Sequence, residues 1–146
     1  MLIYGRDREV AKWVAGQLGY PDSWPCSAAI GYYNEAKELK AGICFDNASD
    51  TNIYAHIAVD GKVPSSLLGA GAAYIFLQCK AKRVTFLVYD DNQPCINLVC
   101  DMGAQLEGRL KDGHGKGDVL IYVIWADSPF FTRLLAHGRV PEGIAK

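Results

Sequence analysis

Two side chains that can transfer protons lie close together on one predicted strand. The run 52–58 is rich in β-branched and aromatic residues, and Tyr54 and His56 fall on the same side of it by period-two counting. Histidine titrates nearest neutral pH, so His56 is the best single candidate for a general base. A lone histidine with no partner visible in the sequence is equally typical of a satisfied, half-buried ring, and both interpretations stay open.

The other histidines and the cysteines lack the spacing of a metal site. His56, His114 and His137 are far apart in sequence, and the five cysteines include no C-x-x-C pair. Most cysteines lie in apolar runs such as 41–45, which is typical of buried thiols in a reducing compartment. We therefore expect no metal and no disulfide framework, and we expect His114, in a glycine-rich turn, to be solvated.

Length and charge narrow the class of protein. A chain of 146 residues with 50% hydrophobic content suits one domain, 1–146, with one core. A net charge of -1 does not provide the basic footprint of a nucleic-acid-binding protein. Met1–Arg6 does not begin a signal peptide, and no apolar run is long enough to span a bilayer. We expect a cytoplasmic protein without a membrane partner.

Hydrophobic periodicity predicts the element order β-α-β-β-β-α-β-α-β-β. The first helix has Asp7 at its N-cap position and Gly19 as its stop, and Pro64 lies in the first turn of the second helix. This order is a mixed α+β arrangement with hairpins at both ends and a β-α-β crossover in the middle. Strands are predicted at 1–4, 28–33, 42–46, 53–59, 84–88, 106–110 and 118–125, and helices at 8–18, 64–78, 94–102 and 130–135.

Three local patterns match motifs of one known family. Arg83–Val88 followed by Asp91–Cys95 resembles its fifth strand and "N-x-x-A" helix start, with Gly103 at the spacing of its "K-L-G-F". Leu106–Leu110 resembles its "EG-x-L-R" strand, and Gly117–Tyr122 resembles the "D-x-x-x-Y" partner across a hairpin. The family is the Gcn5-related N-acetyltransferase (GNAT) superfamily. The hairpin is similar to the ribosomal-protein acetyltransferase branch, and the layout is similar to short bacteriophage-encoded members.

The resemblance covers residues 27–125 and implies a GNAT fold with acetyl-coenzyme A as cosubstrate. In that fold two parallel strands, here 53–59 and 84–88, splay apart, and pantetheine pairs with the freed backbone of one of them. A backbone N–H near Ile57 or Ala58 would then bind the thioester oxygen. The loop before the second helix would bind the pyrophosphate through helix N–H groups. The implied cofactor contacts are Ile57, Ala58, Lys62, Val63, Ser65, Ser66 and Asn92.

Several of these positions have a second, purely structural interpretation. Asn92 either caps its helix, binds the cofactor or does both. The family's usual glycine-rich phosphate loop is absent at Lys62–Ser66. Gly69 and Gly71 resemble that loop in sequence, but we expect them only to allow close packing of the helix on the sheet.

The resemblance implies direct attack by an amine in a ternary complex, with His56 as base and Tyr54 beside it. Val99 occupies the position of the family's tyrosine proton donor, so Tyr122 or water is expected to protonate the leaving thiolate. Proximity alone supplies much of such a rate.

The "EG-x-L-R" strand carries two charged candidates. Glu107 is expected either to recognise the acceptor or to form an ion pair, and Arg109 is expected to form an ion pair that holds the hairpin. By simple alternation the two side chains share one face, and Leu106 and Leu110 share the other.

The expected partners are acetyl-CoA and an amine acceptor, which is a protein amine, a small molecule or a modified nucleobase. Two alternatives remain. One is a catalytically degenerate GNAT-fold binding or inhibitory module, because Val99 replaces the tyrosine donor. The other is a member whose homodimer interface, formed by Ser128–Phe131, is its main purpose. A measurement of acetyl-CoA binding would distinguish the enzyme from both alternatives.

Overall fold

The computed structural model describes residues 1–20 and 28–137. Within them one seven-stranded sheet has helices on both faces, and the elements follow the predicted order. The strands are β1 Leu2–Ile3, β2 Ala28–Tyr33, β3 Leu39–Asp46, β4 Asn52–Val59, β5 Arg83–Tyr89, β6 Gln105–His114 and β7 Gly117–Trp125. The helices are α1 Asp7–Leu18, α2 Ser65–Ala72, α3 Gln93–Asp101 and α4 Pro129–His137, and a π-helical turn, Ala73–Gln78, directly follows α2.

The strand order across the sheet is β1-β2-β3-β4-β5-β7-β6. Only β4 and β5 run parallel, and every other neighbouring pair is antiparallel. A parallel pair needs a crossover connection, and α2 with its π-helical turn supplies it. This is the β-α-β unit predicted for the middle of the chain.

Helix α1 packs on one face of the sheet, above β2, β3 and β4. It ends because Gly19 adopts a left-handed conformation with φ 80°, as the sequence predicted. Its start differs from the prediction: Arg6 occupies the N-cap, and Asp7 is the first helical residue. The Asp7 carboxylate instead accepts a hydrogen bond from the Ala29 N–H at 3.1 Å, which ties the helix start to β2.

The main core lies on the opposite face, between the sheet and helices α2, α3 and α4. Pro64 is the N-cap of α2 and not, as predicted, a residue of its first turn, because its ψ of 130° is extended rather than helical. The helix therefore begins at Ser65. Phe131 of α4 is only 3% exposed, and its ring centroid lies 5.0 Å from that of Phe76. Phe131 therefore fills the core of its own chain, and a dimer interface at Ser128–Phe131 stays a prediction.

The β6–β7 hairpin is longer than predicted, and its strands reach to His114 and Gly117. The register of β6 against β7 shifts between Leu106 and Gly108, so Glu107 is an extra, bulged residue. The bulge moves all following side chains to the other face. Leu106 and Leu110 therefore lie on opposite faces of the sheet rather than sharing one. None of the described helices is both long and apolar enough to cross a membrane.

Candidate functional site

The two parallel strands part halfway along their length. Their pairing runs over four positions, from Asn52 opposite Arg83 to Ala55 opposite Phe86, and then stops. Strand β4 nevertheless continues to Val59 and β5 to Tyr89. Because N–H groups alternate between the two edges of a strand, one of Ile57 and Ala58 directs its N–H into the resulting gap. This is the splayed pair that the family resemblance implied.

A cleft of about 470 Å³ opens at this gap. The end of β4, Ile57 to Val59, forms one wall, and α3 forms the other with Asn92 and Cys95 among its residues. Leu18 at the end of α1 and Val63 before α2 close the sides. Burial raises the pKa of the Cys95 thiol to about 11, so this wall presents a neutral, apolar sulfur.

The predicted cofactor residues fall into two groups around the cleft. Ile57, Ala58, Val63 and Asn92 line it. Lys62, Ser65 and Ser66 are exposed beside it, next to Val63, without lining it. The sequence interpretation missed the contributions of Leu18 and Cys95, because nothing in their local sequence indicates that α1 and α3 meet at the end of β4.

The start of α2 offers backbone donors next to the cleft. The first intrahelical bonds run from the N–H groups of Leu67 and Leu68 to the Pro64 carbonyl. The N–H groups of Ser65 and Ser66 precede these bonds and belong to the unpaired first turn. Among the described residues no side chain caps this end. The positive end of the α2 dipole therefore has donors for an anionic group.

Asn92 caps its helix and also lies at the cleft. Its Oδ1 accepts a hydrogen bond from the Cys95 N–H at 3.2 Å, which makes it the N-cap of α3. The same side chain lines the cleft, so the amide nitrogen is the part left to face a ligand. The capping interaction holds that nitrogen at the helix start.

His56 has a carboxylate partner. Its Nε2 lies 3.3 Å from Asp46 Oδ2, on the adjacent strand β3, and the ring side chain is 9% exposed. The Tyr20 ring contacts it edge-on at 6.4 Å between centroids. The sequence analysis did not predict Asp46 as the partner of His56, because Asp46 belongs to another strand, where it lies opposite Tyr54. His56 does not line the cleft, and it directly precedes Ile57, the first residue of β4 that does.

Tyr54 and Tyr122 lie on opposite faces of the sheet. Tyr54 shares the face of His56, as predicted, because the buried residues Ile53, Ala55 and Ile57 alternate with them on the core side. Tyr122 pairs with Phe86 and belongs to that core. Burial, followed by the nearby Cys100, raises the Tyr122 pKa. The structure therefore groups Tyr54 with His56 and separates Tyr122 from both.

Glu107 on β6 forms a bidentate ion pair with Arg83 on β5, across the intervening strand β7. Its carboxylate accepts hydrogen bonds from Arg83 Nη1 at 2.9 Å and Nη2 at 2.7 Å, and these lower the Glu107 pKa. Asn52 Oδ1 accepts from Arg83 Nε at 3.1 Å and from Thr85 Oγ1 at 2.6 Å. The Arg83 guanidinium also lies 5.2 Å from the Trp125 ring centroid. This network spans the N-terminal ends of β4 and β5.

Arg109 forms the ion pair predicted for the hairpin, with Asp118 Oδ2 at 2.8 Å. It does not share a face with Glu107, contrary to the prediction. The bulge at Glu107 turns the two side chains to opposite sides, one toward Arg83 and the other toward Asp118.

The His114 side chain is enclosed rather than solvated. Only 5% of that side chain is exposed, its ring stacks on Tyr89 with centroids 4.0 Å apart, and its Nε2 lies 3.0 Å from Asp90 Oδ1. Asp90, Asp91 and His114 bring possible metal-ligand atoms within 4.8 Å of one another, a grouping that sequence spacing did not reveal. The Lys116 N–H also donates to His114 Nδ1 at 3.3 Å, so one hydrogen bond within the hairpin and one to Asp90, outside it, account for both ring nitrogens.

The architecture matches solved acetyltransferases. No protein-family model matches the sequence, and no curated protein sequence matches it. Mutant forms of the Vibrio cholerae spermidine/spermine N-acetyltransferase SpeG superpose with a TM-score of 0.68 at 13% identity, covering 91% of this chain and 98% of that one. Ribosomal-protein-S5-alanine acetyltransferase from Vibrio fischeri gives 0.61 at 12% identity, covering 68% and 62%.

Vibrio cholerae spermidine N-acetyltransferase, solved in complex with CoA and spermine, gives a TM-score of 0.61 at 16% identity. That match covers 69% of this chain and 66% of the other. A GNAT acetyltransferase from Bacillus anthracis also matches. At these identities the likeness is one of fold. The chain has the fold of the Gcn5-related N-acetyltransferases, as its sequence motifs predicted.

Proposed function

We propose that this protein is an acetyl-CoA-dependent N-acetyltransferase that moves an acetyl group to an amine by direct attack in a ternary complex. The observation that carries the proposal is the cleft at the parted ends of β4 and β5. Val63 before α2 and Asn92 at the start of α3 both line that cleft. The fold shared with acetyltransferases of known structure supports the same activity.

The residues present fit a coenzyme A molecule. The end of β4 beyond Ala55 has an edge without a β5 partner, which suits the amide groups of pantetheine. Ser65 and Ser66 supply N–H donors for the pyrophosphate, and Lys62 adds a positive charge at the rim. The Asn92 amide would hold the cofactor at the α3 start. When bound, acetyl-CoA would supply the activated acyl group.

His56 and Asp46 are the proposed proton-accepting pair. An amine attacks only in its neutral form, so a base must take a proton from the ammonium ion. Asp46 holds the His56 ring in place, and Tyr54 lies on the same face of the sheet. The N–H of Ile57 or Ala58 is proposed to bind the carbonyl oxygen as charge develops there. Tyr122 remains the proposed proton donor to the leaving group, from the other face.

The acceptor is proposed to be an amine, and Glu107 is the proposed acceptor contact. Its side chain is 46% exposed while paired with Arg83, so the carboxylate can present an oxygen to an incoming cation. SpeG was solved with spermine, which is an amine of this kind. A protein amine, another small molecule and a modified nucleobase remain the other acceptor classes. The cytoplasmic location and the phage-like branch remain predictions from the sequence.

Calorimetric titration with CoA and acetyl-CoA tests the proposal. We expect saturable binding of both, with a thermal shift that rises with ligand concentration. Absence of binding at millimolar CoA would overturn the enzyme proposal. Binding without acetyl transfer to a panel of amines would instead favour the degenerate module, for which Val99, fully buried in the core, is the motivating residue.

Ser65→Pro tests the phosphate contact at α2. The substitution removes one N–H from the first helical position, where proline is tolerated, and the preceding Pro64 already has the extended conformation that a following proline requires. We expect weaker CoA binding with little change in thermal stability. Equal losses of CoA binding and stability would count against the contact. Ser66→Ala, which keeps its backbone N–H, is the control.

A further inference from the structure

A second, smaller cavity lies beneath the point where the strands part. It measures about 20 Å³, and apolar side chains dominate its lining. Ala55 and Phe86, the last paired residues of β4 and β5, form its ceiling with Ile57. Gly71 and Ala72 of α2 form one side. It therefore occupies the core face of the sheet, between the splay and α2.

The cavity adjoins the cofactor cleft. Ile57 is common to both: it lines the cleft at the end of β4 and the cavity below it. Met102 at the end of α3 and Phe131 of α4 close the far end, and both are almost fully buried. A group that enters from the gap between the strands would meet only apolar side chains and would be stopped by Met102 and Phe131.

We propose that this cavity receives the hydrocarbon end of the transferred acyl group and restricts the donor to a short, uncharged acyl thioester. The inference rests on the proposed function. About 10–15 Å³ of such space holds one water-sized group, so the measured volume suits the methyl group of an acetyl. A butyryl chain would overpack the site, and tightly packed surroundings resist added methylenes.

Charge excludes another class of donor. A succinyl or malonyl group would place a carboxylate in the cavity, where Ile57, Ala72 and Phe86 offer no side-chain donor. An unpaired buried charge is far more costly than any gain from added contacts. The amine approaches from the opposite face, where His56 and Tyr54 lie.

Gly71→Ala fills the cavity. A Cβ at Gly71 would lie 2.9 Å from Ile43 Cδ1, so the end of the Ile43 side chain must move into the remaining space. Gly69→Ala is the matched control, because the same methyl group two residues earlier on α2 meets nothing within 4 Å. Neither glycine has a positive φ. Both substitutions therefore leave the helix backbone unstrained.

Calorimetry without an acceptor amine provides a readout that is independent of turnover. For the wild type we expect acetyl-CoA to bind at least threefold more tightly than butyryl-CoA or succinyl-CoA. Gly71→Ala should weaken acetyl-CoA binding by roughly threefold to fourfold, the value of one buried methyl group, and leave the Kd of CoA unchanged. Gly69→Ala should change neither dissociation constant.

Met102→Ala is the complementary variant, and it keeps the test decisive if Gly71→Ala does not fold. Shortening Met102 lengthens the cavity, so butyryl-CoA should become at least as good a ligand as acetyl-CoA. If CoA itself fails to bind the wild type, the proposed function falls together with this inference. If CoA binds but wild-type and variant proteins do not discriminate among acyl chains, only the acyl cavity is overturned.

Discussion

At the scale of single residues, the His56 ring is held by a carboxylate from a neighbouring strand. Asp46 lies 3.3 Å from its Nε2, and the Tyr20 ring packs edge-on against it. A ring that is oriented in this way suits general-base catalysis better than a freely rotating one, because the catalytic nitrogen must lie within reach of the proton. In the proposed mechanism, Asp46 would act through His56 as a positioning residue.

His56→Ala should lower turnover by about 10²–10⁴-fold, with the loss shrinking at high pH, where more of the amine is already neutral. The pH–rate profile of acetyl transfer measures this effect. Asp46→Asn keeps the shape of the contact and should displace the profile while changing the KM for acetyl-CoA little. A profile of unchanged shape in His56→Ala would reject the role of base.

Two substitutions at Asn92 can distinguish its capping of α3 from its proposed binding of the cofactor. Asn92→Asp retains the oxygen that accepts from the Cys95 N–H but replaces the amide donor in the cleft with a negative charge. Its stability should stay near that of the wild type, while CoA binding weakens. Asn92→Ala should lose both, with a stability cost of about 1 kcal/mol for the missing cap. Thermal melts and calorimetry on the two variants decide whether Asn92 serves both purposes.

At the scale of elements, the position of α1 depends on a glycine, Gly42, in the strand beneath it. A Cβ at Gly42 would lie 2.8 Å from Val10 Cγ1 and 2.9 Å from Val14 Cγ2. The close approach of helix to sheet brings Leu18, at the end of α1, to the side of the cofactor cleft. A glycine on β3 thus determines where one wall of the cleft lies.

Gly42→Ala should therefore destabilise the protein by about 1–3 kcal/mol through overpacking against α1. Denaturant unfolding measures the change. Gly16→Ala is the contrasting variant, because that exposed helical glycine meets nothing within 4 Å. It should stabilise the protein by about 0.5–1 kcal/mol through helix propensity. Equal effects of the two substitutions would show that α1 does not approach β3 as described.

At the scale of the whole molecule, the β6–β7 hairpin is anchored to the loop that leads into α3. Asp90 in that loop accepts hydrogen bonds from His114 at 3.0 Å and from the Asp118 N–H at 3.1 Å. These contacts lower the Asp90 pKa, and the His114 hydrogen bond is the main cause. The hairpin therefore fixes the loop whose last residue, Asn92, lines the cleft.

Because the folded-state pKa of Asp90 is depressed, its contribution to stability is present above its ordinary value of 3.8 and is lost as pH falls through the lowered value. Asp90→Asn should lower the melting temperature at pH 5, and the difference from the wild type should shrink toward about pH 2. Asp91→Asn, at the adjacent exposed position, should show a smaller change at pH 5. If the difference in melting temperature between Asp90→Asn and the wild type did not change with pH, the stabilising role of the Asp90 carboxylate would be contradicted.

Local signals in the sequence predicted most of the elements. Gly19 stops α1 through its left-handed conformation, Asn92 caps α3, and alternating apolar residues mark β4 and β5. Each signal acts within one turn or one strand, where hydrogen bonds and side-chain periodicity depend on near neighbours. The element order and the motifs on β5 and β6 were sufficient to indicate the fold.

The sequence by itself determined the elements, their order and the splayed strand pair implied by the family motifs. Only the tertiary structure decided that Asp46 holds His56, that Tyr122 lies on the other face, that the bulge separates Glu107 from Arg109, and that the His114 side chain packs on Tyr89 beside Asp90. The physical reason is register. One shifted residue reverses the faces of a strand, and contacts between strands far apart in sequence have no local signal.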